Sequence, residues 1–91
     1  MSKKDYVLTF LDKVKDFWEP ARWFSVLIRY NILNDEQIDT IFSVFKDVVK
    51  SSSNEQKKWK IQRAINAAEE IRNKEENLSI LNQNLDKILN E

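Results

Sequence analysis

Glycine, cysteine and histidine are absent from this 91-residue chain, and proline occurs once. Tight strand turns and phosphate-cradling loops rely on glycine for conformations or close approaches that other residues resist, so both are excluded in their usual forms. Without cysteine there is no disulfide and no thiolate nucleophile. Without histidine there is no imidazole for acid–base work, and the two absences together remove almost every zinc site. The chain is therefore expected not to be an enzyme and to carry no cofactor or metal.

An excess of charge of one sign is also missing. The 15 Lys+Arg balance the 15 Asp+Glu, so no global field draws the chain toward nucleic acid or an anionic membrane, and either would have to be met through a local patch. No apolar run approaches the roughly 20 residues that span a bilayer. The opening Met-Ser-Lys-Lys-Asp-Tyr gives way to alternating apolar and polar residues and does not read as a signal peptide. With 42% hydrophobic and 33% charged residues, the composition is globular and not that of a disordered segment. A single soluble, cytoplasmic domain over residues 1–91 is the expectation.

What the sequence does contain is helical periodicity. Ser2 and Asp5 form a capping-box pattern ahead of Val7, Phe10, Leu11, Val14, Phe17 and Trp18, which recur at three and four spacing. Pro20 disfavours helix in the residue before it and suits the first turn of a second helix. That segment, Ala21 to Tyr30, is apolar on nearly every face, which marks either the buried centre of a bundle or a docking surface. Asn34 with Gln37 is a second capping box, with Leu33 placed to staple onto Ile38. Ile38, Ile41, Phe42, Phe45, Val48 and Val49 then form a clean stripe. After Ser51-Ser52-Ser53-Asn54, either Ser52 with Glu55 or Ser53 with Gln56 caps a last segment. Its apolar stripes are Ile61, Ala64, Ile65, Ala68, Ile71 and then Leu78, Leu81, Leu85, Ile88, Leu89.

The reading is an all-α bundle of four helices, about 3–18, 20–31, 35–50 and 54–90. The last is either long or broken near 73–77, where six polar residues run together and Asn73 with Glu76 offers a cap for a fifth helix. Because Ile71 and Leu78 are one heptad apart and share a face, a single long helix is preferred. The expected core is Val7, Leu11, Val14, Leu27, Ile38, Ile41, Phe42, Phe45, Val48, Ile65 and Ala68.

Three constellations bear on function. Phe17-Trp18 and Trp23-Phe24 flank Pro20, and two bulky pairs at one corner cannot all point inward. Trp18, Trp23 and Arg22 are thus candidates for an interface, where Trp and Arg are enriched. Leu78, Leu81, Leu85 and Ile88 follow the spacing of a coiled-coil seam, which on a projecting helix would meet a partner or a second copy. Lys57, Lys58, Lys60 and Arg63 surround Trp59, a basic–aromatic mixture suited to nucleic acid or lipid. Residues 46–63 carry six positive and two negative charges, and 64–91 carry three positive and six negative, so charge is segregated. Glu69, Glu70, Glu75 and Glu76 read as a solvated face, with Glu70 positioned to pair with Lys74. The expected function is a non-catalytic protein-interaction module of adaptor or inhibitor type, self-associating through its C-terminal helix. The alternative is a nucleic-acid-binding accessory protein using the basic cluster.

Overall fold

A computed structural model describes residues 2–91, and every regular element among them is helical: α1 (Lys3–Val14), α2 (Pro20–Arg29), α3 (Asp35–Lys50), α4 (Glu55–Asn73) and α5 (Leu78–Leu89). Both capping boxes form. Ser2 accepts from the Asp5 amide and Asn34 from the Gln37 amide, and each third residue returns a side-chain oxygen to its cap. Pro20 opens α2 without a side-chain cap. The last segment starts on Asn54, whose side chain accepts from Lys57, and not on Ser52 or Ser53.

The single long helix over 54–90 is not formed. Its ~37 residues would span roughly 55 Å, whereas the longest dimension of the molecule is 32 Å. The chain reverses after Asn73 through a Schellman turn. The Glu76 amide donates to the Ile71 carbonyl and the Glu75 amide to Arg72, both at 3.0 Å, with Glu75 left-handed at φ 53°. Glycine normally takes that position because it lacks a Cβ, and this chain has none to place there. The buried Tyr6 hydroxyl donates to the Glu76 carbonyl and so ties the reversal to α1. Asn77, not Asn73, then caps α5.

α5 accordingly folds back against α1 and α4, and the molecule is a five-helix bundle in which α1 packs on all four other helices. Phe10 of α1 has no exposed surface and meets Phe42 and Phe45 edge-on, at 5.5 and 5.7 Å between centroids. Phe24 and Trp18 close on Phe45 from the α2 side. Ile61, Ala64, Ile65, Ala68 and Ile71 supply the α4 face, and Leu81 and Leu85 the α5 face. Each buried isoleucine or leucine among them is worth about 1.5–3 kcal/mol. Val7, Leu11, Val14, Ile38, Phe42, Phe45, Ile65 and Ala68 lie in the core as expected, whereas Ile41 and Val48 are half-buried. Leu27 is the clear exception, being 44% exposed on the outside of α2.

Candidate interaction surface

α2 is where sequence and burial part company. Its inward face is Ala21, Ser25 and Ile28, with Phe24 half-buried beside them. Trp23, Val26, Leu27 and Tyr30 follow one another at spacings of three, one and three. At 3.6 residues per turn they occupy an arc of about 100° centred opposite the inward face. Trp23 is 73% exposed, Tyr30 76%, and Val26 and Leu27 nearly half exposed. Ile32, two residues beyond the helix partner Tyr30, is fully exposed. Large apolar side chains on a monomer surface are ordinary when scattered, whereas contiguous apolar patches are a common feature of contact sites.

Polar contacts to α1 fix how the helix is turned and so which face carries the stripe outward. Ser25, the one buried polar residue among those described, donates its hydroxyl to Asp12 of α1 at 2.8 Å, and Arg29 pairs with the same carboxylate. Burial alone would raise the Asp12 carboxyl. Hydrogen bonds from Ser25 and Arg29, together with the charges of Arg29 and Lys15, outweigh it and hold the group below its ordinary 3.8. Among the described residues Arg22 enters no ion pair, and it flanks the stripe beside Val26.

Of the residues singled out by sequence, Trp23 and Arg22 fall on or beside this surface. Trp18 does not, because it is half-buried with its ring 5.8 Å from Phe45. The C-terminal seam is a correction: Leu81 and Leu85 have no exposed surface, and Leu78 and Ile88 are half-buried against the core. Lys13 and Asp86, 2.7 Å apart, fasten that helix to α1. In this fold Leu81 and Leu85 are interior, so the seam is not the continuous exposed stripe that a projecting helix would carry.

The basic cluster is present but largely engaged. Lys57 and Lys60 sit over the Phe17 ring at 5.6 and 5.7 Å. Lys60 also donates to the Glu91 carbonyl, and Arg63 makes a forked pair with the Glu91 carboxylate. Hydrogen bonding from Arg63, with its charge and those of Lys60 and Lys87, holds that carboxyl below its usual range despite the opposing effect of desolvation. These partners account for cations in the first turns of a helix, where the dipole disfavours them. Trp59 is 65% exposed, but its helical neighbours at three and four spacing are Glu55, Gln56, Gln62 and Arg63, so it stands alone. Glu69 pairs with Lys46 and Glu70 with Lys74, as surface ion pairs.

Among the described residues no group of three or more metal-ligating side chains converges, and no helix is long and apolar enough to cross a membrane. The void between Tyr6, Phe10, Phe42 and Ala68 is about 10 Å³, room for no more than one water. No protein-family model, curated protein or solved structure matches the chain.

Proposed function

We propose that this chain is a non-catalytic protein-binding module and that its docking surface is the outward face of α2. The observation that carries this reading is the stripe of Trp23, Val26, Leu27 and Tyr30, exposed on a helix whose opposite face already supplies its share of the core. Trp and Tyr combine large contact area with few rotatable bonds, which is why they anchor interfaces, and the neighbouring Arg22 is free to form the polar rim. The absence of His and Cys from the sequence favours binding over chemistry. The competing nucleic-acid reading loses support because Lys60 and Arg63 are already matched by Glu91.

The test is affinity capture from the native host with three forms of the chain: wild type, Trp23→Ala with Tyr30→Ala, and Trp59→Ala. A protein partner retained by wild type and by Trp59→Ala, but lost by the double variant, is expected. If wild type and the double variant retain the same proteins, and the chain neither self-associates nor loses any interaction through this face, the reading is wrong. Salt separates the alternative, since retention on the α2 face should survive high ionic strength whereas phosphate contacts weaken steeply.

A further inference from the structure

We infer that the molecule covering the α2 face is a second copy of this chain, packed antiparallel about a two-fold axis that passes between Val26 and Leu27. This deepens the docking reading above and rests on it. An isologous interface requires a patch that is complementary to itself. The α2 stripe has that property in both spacing and size. Read from either end it runs aromatic, aliphatic, aliphatic, aromatic, at intervals of three, one and three. A two-fold axis at its midpoint sets Trp23 of one copy against Tyr30 of the other at each end, and brings Val26 and Leu27 each onto its own counterpart at the centre. Aromatic side chains meeting edge-on or offset gain beyond their buried area, and antiparallel helices align their dipoles favourably.

Area and charge agree with this occupant. Trp and Tyr side chains bring about 150–250 Å² each, and these two are roughly three-quarters exposed. With Val26 and Leu27, each a little under half exposed, the face offers on the order of 450 Å² per copy, or about 900 Å² for the pair, the size of a weak, concentration-dependent interface. The chain carries no net charge, so two copies approach without mutual repulsion. On the flank of the stripe Arg22 falls on the same side as Arg29 of the other copy. The charge of Arg29 is already met by Asp12, which leaves the rim without a like-charge clash.

Sedimentation equilibrium of the full chain, over roughly 1 µM to 1 mM, tests the inference. For wild type the mass should climb from 10.9 kDa toward twice that value. For Trp23→Glu combined with Tyr30→Glu it should stay at the monomer value throughout, with an unchanged circular dichroism spectrum, because both side chains are exposed. Leu27→Cys, the sole thiol in a cysteine-free chain, should oxidise to a covalent dimer much faster than Trp59→Cys. A wild-type mass that stays at 10.9 kDa overturns the second copy. So does a dimer that persists in the double Glu variant, or equal cross-linking at positions 27 and 59. The two proposals fail separately: a monomer that still captures a host protein through Trp23 and Tyr30 leaves the docking reading intact. A monomer that captures nothing through them removes both.

Discussion

Replacing Leu85 by alanine should destabilise the domain by about 2–5 kcal/mol, the range for deleting a leucine from a packed core. Leu85 has no exposed surface and lies on the face of α5 turned to α1 and α4. Losing three methyl or methylene groups removes roughly 0.8 kcal/mol each of transfer free energy. The cavity left behind supplies the rest, because the reversal at Glu76 is tied by Tyr6 and resists collapse. A domain of this size holds about 5–14 kcal/mol in total, so a third of its stability is at stake. At roughly 4–8 °C per kcal/mol the melting temperature should drop by about 8–40 °C. Ile80→Ala is the internal control, since Ile80 sits on the same helix at 39% exposure and should cost under about 1 kcal/mol. Urea titrations followed by far-ultraviolet circular dichroism measure both, with the denaturant slope unchanged. If the two substitutions cost the same, or Leu85→Ala costs less than about 0.5 kcal/mol, α5 is not part of the core and the last helix projects after all.

Tyr6→Phe should cost about 1 kcal/mol in the same titration by freeing the Glu76 carbonyl, and a neutral result would mean that the reversal does not depend on α1. Glu75→Gly should raise stability by about 0.5–1 kcal/mol because it relieves a left-handed side chain; a loss would place the turn elsewhere. The Asp12 carboxyl is held below its ordinary value when folded, so its contribution is complete above the unfolded pKa and disappears as pH falls through the folded one. Stability measured from about pH 5 downward should therefore fall less steeply for Asp12→Asn, which should also lose about 1 kcal/mol at neutral pH given its partial exposure; parallel acid curves would contradict the assignment. Trp23→Glu with Tyr30→Glu should leave the stability of the dilute monomer within about 0.5 kcal/mol, and a large loss would show that the α2 stripe packs internally.

The elements that announce themselves locally were readable from the sequence. Ser2 with Asp5, Pro20, and Asn34 with Gln37 each act within one turn, and all three start helices where their chemistry predicts. The start of α4 was blurred because Ser52, Ser53 and Asn54 are all competent caps within three residues, and the side chain that takes the role is that of Asn54. The break at Asn73 was hidden for a physical reason. Its Schellman turn uses Glu75 where glycine would have signalled a stop, and the heptad from Ile71 to Leu78 fits a continuous helix as well as a reversed one. What favours the reversed one is long-range, the burial of Leu81 and Leu85 against α1 and α4 together with the Tyr6–Glu76 bond, none of which a local window contains.

The surface was only half readable, and α2 shows why. Periodicity identifies a buried face by contrast with a polar one, and a helix with apolar residues on nearly every side offers no contrast, so Leu27 reads as core when it is not. The bundle itself supplies the missing phase. α1 touches all four other helices yet carries Lys4, Asp5 and Lys13 on its remaining surface, while α2 touches only α1 and α3 and is apolar on nearly every face but the flank of Arg22 and Arg29. If apolarity served folding alone, the helix with most neighbours would have most of it. The excess on α2 has no internal partner, and such a surface in water invites association at a cost in solubility. Its presence on the least enclosed side of a helix pinned by Ser25 and Arg29 is therefore better explained by something outside the fold, for which the palindromic order of Trp23, Val26, Leu27 and Tyr30 makes a second copy the simplest fit.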